Sequence, residues 1–173
     1  MPEEHASPKL FFEPLGSQHD RAAFSCESTK LEAYLKHQAR QDVEKRLAAA
    51  FVLTPDGKTI AGYYTLSQYS IQLDTIPESI ASKLTKHPLV PTTLIGRLAR
   101  STTFAGRGVG ELLLMDALHR SLAHSREIAS WAVVVDAKDE KAVSFYRKYG
   151  FIEIPKVSHR LFLPMRTVEA MFR

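Results

Sequence analysis

The 173-residue chain is short of sulfur and of long apolar stretches, and each shortage excludes a class of protein. One cysteine, Cys26, cannot close an internal disulfide, and no Cys-x-x-Cys pair is present to hold a structural zinc. Cys26 reads as a small buried residue rather than a nucleophile. His119 and His124 are five apart, so they do not share a helix face as i,i+4 ligands would, and no metal is expected. The longest apolar run, Leu47 to Leu53, has seven residues. A membrane helix needs about 20. Met1-Pro2-Glu3-Glu4-His5 lacks the basic-then-apolar order of a signal peptide, so the expectation is a cytoplasmic protein without membrane contact. No repeat, low-complexity tract or linker divides the sequence, which is expected to form one domain over 1–173.

Charge is present but nearly balanced, with 23 Lys+Arg against 19 Asp+Glu for a net +4. Hydrophobic residues at 45% and charged residues at 24% make an ordinary globular mix. The excess is uneven: residues 147–173 hold Arg147, Lys148, Lys156, Arg160, Arg166 and Arg173 against Glu153 and Glu169, six minus two, which equals the whole net charge. This is either solvated surface or a basic face for an anionic cofactor or nucleic acid.

Leu10 to Leu15 reads as a short strand ended by Pro14. Thr29-Lys30-Leu31-Glu32 has the form of a capping box, and Leu31, Leu35, Ala39, Val43 and Leu47 then recur every four residues, predicting one amphipathic helix. Its outer face would carry Lys36, Arg40, Lys45 and Arg46. Ala48–Thr54 and Thr59–Gln68 are strand-like arms joined through Asp56-Gly57, a hairpin signal, with 70–73 as a continuation of the second arm. A second Thr-x-x-Glu box, at Thr75 and Glu78, predicts a short helix, and Pro88 and Pro91 bracket a loop before the strand Thr93–Arg100. A long helix from Gly108 to about Arg126 follows, then an apolar strand 131–135 that takes in Trp131. Ala142, Phe145, Tyr146 and Tyr149 mark another helix, with Gly150 at its C-terminal cap, and Arg160–Leu163 a last strand stopped by Pro164. The order implies a mixed α/β sheet in which strands 93–100 and 130–136 pair in parallel through the long helix.

Between strand 93–100 and the long helix lies Phe104-Ala105-Gly106-Arg107-Gly108-Val109-Gly110. Residues without Cβ let a ligand approach the backbone, the N–H groups of a helix's first turn attract anions, and Arg107 adds a positive charge, which together suit a pyrophosphate. The Gly-Lys-Ser/Thr of an NTPase loop is absent, and the glycines stand neither on the first strand nor at dinucleotide spacing.

Arg97-Leu98-Ala99 followed by Gly106-Arg107-Gly108-Val109-Gly110 resembles the acetyl-coenzyme A motif of GNAT-superfamily N-acetyltransferases. Phe145-Tyr146-Arg147-Lys148-Tyr149-Gly150-Phe151 is similar to the superfamily's second motif, Phe-Tyr-x-x-x-Gly-Phe. Gly108 and Gly110 match the usual Arg/Gln-x-x-Gly-x-Gly/Ala loop, whereas Ala105 stands where Arg or Gln is usual, a loss that Arg107 would offset. The resemblance extends to Phe24-Ser25-Cys26, Tyr34-Leu35, Gly62 to Leu66, Ile95 to Ala99 and Leu161 to Met165, as in the GNAT toxins of bacterial type II toxin–antitoxin pairs. It implies the GNAT acyltransferase fold, α/β (α+β), with a mixed, mostly antiparallel sheet, a central parallel pair and helices on both faces. It also implies transfer of acetyl from acetyl-CoA to the α-amine of aminoacyl-tRNA, which blocks translation, and a ribbon-helix-helix antitoxin as partner. A second copy of the chain is a further candidate partner.

The resemblance assigns acetyl-CoA to Leu98, Ala99, Arg100, Gly106, Arg107, Gly108, Val109 and Gly110, and the general acid to Tyr146, with Tyr149 as the fallback. A phenol of pKa about 10 is protonated at neutral pH and can protonate a thiolate whose conjugate acid lies near 8.5. No general base stands out, which suits an α-amine of pKa about 8 better than a lysine. Lys36, Arg40, Lys45, Arg46 and Arg97 are the candidates for contact with tRNA phosphates. Two alternatives stay open here: acetylation of a small amine or a protein N-terminus, and a non-catalytic module that binds coenzyme A or an antitoxin.

Overall fold

The computed structural model describes residues 9–84 and 86–173, and it divides into two compact units. The first comprises residues up to Thr65 together with Arg97–Leu114, and the second comprises Leu66–Gly96 and Met115–Arg173. The elements in chain order are β1 (Phe11–Pro14), α1 (Thr29–His37), α2 (Ala39–Glu44), β2 (Ala49–Thr54), β3 (Gly62–Gln72), α3 (Glu78–Ala81), β4 (Leu89–Arg100), α4 (Val109–His124), β5 (Ala132–Asp136), α5 (Glu140–Lys148), β6 (Ile152–Glu153), β7 (Arg160–Pro164) and α6 (Met165–Met171). β3, β4 and α4 each run through both units. Among the described residues, no helix is long and apolar enough to cross a membrane.

In the first unit the strand order is β1-β2-β3 followed by the end of β4, with β1 antiparallel to β2 from Phe11↔Thr54 to Pro14↔Phe51. A Cβ at Gly62 would meet Leu113 Cδ1 at 2.8 Å and the Ala99 carbonyl at 3.0 Å, so the strand lies too close to α4 for a side chain there. The next residue, Tyr63, faces the opposite way and packs with Phe24, Tyr34, Leu35, Ala39 and Val52. Successive strand residues point to opposite faces. Helices therefore cover both faces of this sheet, as expected.

In the second unit the order is β3-β4-β5-β7-β6. β4 and β5 form the expected parallel pair, Thr92↔Ala132 to Ile95↔Val135, and β5–β7 and β6–β7 are antiparallel. Ala132–Val135 are all buried, as the unbroken apolar run anticipated. Trp131 stacks on Phe162, with ring centroids 5.4 Å apart, beside a core of Ile71, Ile76, Val90, Val134 and Ile154.

Several boundaries differ from the sequence reading. The first helix is capped by Ser28, whose hydroxyl accepts from the Leu31 N–H at 3.2 Å, so Thr29 is the first helical residue and no capping box forms around it. Glu32 instead accepts the Cys26 N–H at 3.1 Å. The single predicted helix is two, broken at Gln38 (φ −123°, ψ −34°), and Leu47 lies beyond α2 with 64% of its surface exposed. The Thr75 box does not form either: Thr75 donates to the Gln72 carbonyl, and α3 starts after Pro77 without a side-chain cap. Asp56-Gly57 makes a wider turn than a two-residue hairpin, because the Asp56 carboxylate accepts the N–H groups of Lys58 and Thr59 and the Thr59 hydroxyl. Pro91 lies within β4, where its carbonyl accepts from the Trp131 N–H at 2.9 Å. β6 and α6 gave no sequence signal, being a two-residue strand and a helix that begins directly after Pro164.

Candidate active site

The glycine turn belongs to the first unit. At the end of β4 the Ser101 N–H bonds to the Ala61 carbonyl and the Thr102 N–H to the Ser25 carbonyl, both at 2.8 Å, which anchors the chain before it turns. A 3-10 turn follows over Thr102–Phe104, capped by the Ser101 hydroxyl. Gly106 (φ +77°) and Gly108 (φ +69°) then take left-handed conformations, and a Cβ on either would meet nothing within 4 Å. Their backbone therefore faces open space. α4 begins at Val109, and the Leu112 N–H bonds back to the Gly108 carbonyl at 3.1 Å. The N–H groups of Val109, Gly110 and Glu111 consequently have no carbonyl a turn earlier, which makes an anion site at the positive end of the helix. Arg107 is exposed, its guanidinium 5.1 Å from the Phe104 ring centre. An open backbone, free donors and one cation fit a diphosphate, and Leu98–Arg100 offer strand backbone beside it. Ala105 is exposed and contributes no polar side chain.

The Arg100 side chain adds a feature that backbone reasoning misses. Its Nε is buried without a hydrogen-bond partner, while Nη2 lies 3.7 Å from the Glu27 carboxylate.

Arg97 is half-buried, with its guanidinium carbon 3.6 Å from the centre of the Tyr34 ring. Such a contact is worth about 0.5–2 kcal/mol, depending on desolvation. The Tyr34 hydroxyl donates to Asp42 Oδ2 at 2.8 Å, and Gln38 Nε2 donates to Oδ1 at 2.9 Å. One carboxylate thus ties α1, the Gln38 break and α2 together. Burial, with Asp42 accepting its proton, raises the Tyr34 phenol to about 12. Hydrogen bonds from Gln38 and then Tyr34 hold the Asp42 carboxyl below its usual range. Tyr63 stacks on Tyr34 at 6.4 Å and donates to the Leu31 carbonyl at 2.5 Å. The sequence reading named Arg97 as a candidate for contact with tRNA phosphates but gave Tyr34 and Asp42 no role. Only the fold reveals it, since residues 34, 42 and 97 share no local spacing.

Tyr146 belongs to the second unit, on α5, which Asp139 caps by accepting the Ala142 N–H at 2.8 Å. Its ring is held edge-on by Phe145 at 5.2 Å and Phe151 at 5.4 Å, and the residue is 8% exposed. Burial alone raises its pKa well above the ordinary tyrosine value. Among the described residues its hydroxyl has no hydrogen-bond partner. Tyr149 is less buried and sits at the C-terminal cap.

The remaining basic candidates do not form one face. Lys36 pairs with Glu32 at 3.4 Å and Arg40 with Glu44 at 3.0 Å, while Lys45 and Arg46 lie past the end of α2, Arg46 at φ +58°. Within the C-terminal stretch Arg147 pairs with Glu153 and Arg173 with Glu169 at 4.0 Å, Arg160 reaches Asp136 outside it at 2.8 Å, and Lys156 donates to the Asp74 carbonyl, so most of the net positive excess of 147–173 is retained. Among the described residues no group of three or more His, Cys, Asp or Glu could hold a metal ion.

Comparison with known proteins agrees with this geometry. The acetyltransferase (GNAT) domain model matches residues 22–167. The chain is 30% identical over 172 residues to a probable toxin TacT of Sinorhizobium fredii, covering 94% of this chain and 95% of that protein. It is 29% identical over 152 residues to a tRNA-acetylating toxin of Mycobacterium tuberculosis, covering 88% and 90% respectively. Among solved structures, AtaT complexed with acetyl-methionyl-tRNAfMet is similar with a TM-score of 0.88 at 25% identity, covering 95% of this chain and 100% of that one.

Proposed function

The chain belongs to the GNAT acetyltransferase family, and from that membership we propose that it transfers acetyl from acetyl-CoA to the α-amine of aminoacyl-tRNA and so acts as a translation-blocking toxin. The observation that carries the chemistry is the glycine turn before α4, whose open backbone and unspent N–H groups suit the diphosphate of the acetyl donor. The acceptor follows from the relatives, one named a tRNA-acetylating toxin and one solved with acetyl-methionyl-tRNA. A single domain over 1–173 belongs to this reading, supported by one family model that runs from 22 to 167. So do a ribbon-helix-helix antitoxin as the neutralising partner, pairing of two chains, and action in the cytoplasm.

When bound, acetyl-CoA supplies a thioester carbonyl and a thiolate leaving group. The N–H groups of Gly108 to Gly110 and the Arg107 guanidinium hold the diphosphate, and the backbone of Leu98–Arg100 aligns the arm that carries the thioester. Fixing the reactants in line contributes several kcal/mol to the barrier reduction, on the order of 7 or more in favourable cases. The α-amine attacks, an N–C bond forms, and the C–S bond breaks. Tyr146 gives its hydroxyl proton to the departing sulfur, and the newly acylated nitrogen sheds a proton that restores the phenol. A phenol whose pKa burial has raised is a weaker acid than the thiol it produces, so its proton must move as the C–S bond breaks rather than before. The acceptor needs no strong base, because an α-amine of pKa about 8 is partly neutral at pH 7.

Incubating the protein with labelled acetyl-CoA and total charged tRNA tests the reading. Label on the aminoacyl nitrogen supports it. Label on small amines or protein N-termini, with none on tRNA, overturns it in favour of a different acceptor.

A further inference from the structure

The Arg97 guanidinium is half-buried, with its carbon 3.6 Å over the centre of the Tyr34 ring, and among the described residues no carboxylate comes within ion-pair distance of it. Asp42 is near enough for the charge to lower its carboxyl, but its oxygens accept from Gln38 and Tyr34 instead. The guanidinium's five N–H donors are unspent within the described residues, although desolvating such a cation usually requires a partner. Stacking uses the face of the guanidinium plane and leaves its edge free, the geometry that takes a phosphate oxygen pair in two parallel hydrogen bonds. Arg97 also stands directly before Leu98–Arg100, the strand backbone that would carry the acetyl donor. The donor's own diphosphate already has the glycine turn and Arg107, so the anion left for Arg97 is on the acceptor.

We propose that Arg97 binds a phosphodiester of the acceptor's terminal nucleotides, and that Tyr34 and Asp42 are positioning residues that fix the guanidinium for it. The inference rests on the aminoacyl-tRNA reading above. Phosphate is favoured over base stacking because the unspent groups are donors at the edge of the plane. Tyr34 acts through its ring, and Asp42 acts by holding the Tyr34 hydroxyl across the Gln38 break.

The experiment compares two acceptors: total charged tRNA, and a mixture of amino-acid methyl esters that carry the same α-amine without any phosphate. For Arg97→Gln the expected result is a KM for charged tRNA raised about ten- to hundredfold, the size of a lost charge-assisted hydrogen bond, and a much smaller loss on the esters. Arg97→Lys should restore part of the loss. The salt dependence of the tRNA KM should flatten by about one unit of slope in Arg97→Gln, as expected when one phosphate contact is removed. Tyr34→Leu should reproduce the tRNA-specific rise in KM, and Tyr34→Phe, which keeps the ring, should lose less. Melting curves identify any variant that has failed to fold, in which case Arg97→Lys carries the comparison. Equal losses on tRNA and esters would overturn the proposal, since Arg97 would then serve the donor or the fold. So would an unchanged tRNA KM in Arg97→Gln. If the unmodified protein acetylates esters but not charged tRNA, the aminoacyl-tRNA reading itself fails and the phosphate role falls with it.

Discussion

Tyr34 and Tyr63 in the first unit are buried as deeply as Tyr146 in the second, yet their hydroxyls are used differently. Tyr34 donates to Asp42 and Tyr63 to the Leu31 carbonyl, so both phenols tie helix to helix or strand to helix. Tyr146 packs against the rings of Phe145 and Phe151, and among the described residues its hydroxyl has no hydrogen-bond partner. The contrast separates two hydroxyls spent on the fold from one that, among the described residues, is not, as the general-acid role proposed for Tyr146 requires.

The strongest way to break the contrast is Tyr146→Phe. The expected result is a kcat lowered by about 100- to 10,000-fold, the usual worth of a positioned general acid. Affinity for acetyl-CoA by titration calorimetry and the melting temperature should both be unchanged, because the hydroxyl bonds to none of the described residues. A lower melting temperature with kcat retained would make Tyr146 structural. In the unmodified enzyme kcat/KM should rise with pH towards about 8, where the acceptor amine loses its proton, and should show no phenol-dependent fall below about 10. The sign follows from burial, which raises the Tyr146 pKa and keeps its acid form.

Tyr63→Phe should give the opposite signature. Removing a hydrogen bond to a buried carbonyl costs about 1–2 kcal/mol, read from chemical denaturation, while kcat stays within about twofold. Gly108→Ala sharpens the comparison at the donor site. The left-handed backbone there costs an alanine about 1 kcal/mol, and relaxation of the turn should weaken acetyl-CoA binding several-fold by calorimetry. The smallest effect concerns acid stability. Hydrogen bonds from the Thr59 and Lys58 N–H groups hold Asp56 down to about 2, from an ordinary 3.8. A depressed carboxylate stabilises the fold fully above its unfolded pKa and loses that contribution as pH falls towards 2. Asp56→Asn should therefore melt slightly lower than the parent at pH 6 and converge with it near pH 2.

Much of the architecture was legible because its signals are local. The parallel pairing of β4 with β5 through α4 and the Asp139 and Gly150 ends of α5 both follow from short-range patterns, as does the glycine turn. The failures were competitions that a pattern cannot adjudicate. Ser28 and Thr29 can each cap a helix, and the fold chose Ser28 while sending the Glu32 carboxylate to Cys26. The four-residue apolar repeat continued through Gln38, where Asp42 pulls Gln38 and Tyr34 together and the helix breaks. Residues 36, 40, 45 and 46 looked like one basic face only on the assumption that the helix was continuous.

The sequence by itself determined the family, most of the order of strands and helices, the glycine turn before α4 and the motif that contains Tyr146. These depend on side-chain periodicity and backbone freedom over a few residues, which the order of amino acids encodes directly. Only the tertiary structure decided that Arg97 lies over Tyr34, that Asp42 holds Tyr34, that Arg147, Arg160 and Arg173 are paired, and that among the described residues the Tyr146 hydroxyl has no partner. Burial and hydrogen-bond satisfaction are settled between residues distant in sequence, because the cost of desolvating a charge or a hydroxyl depends on everything packed around it.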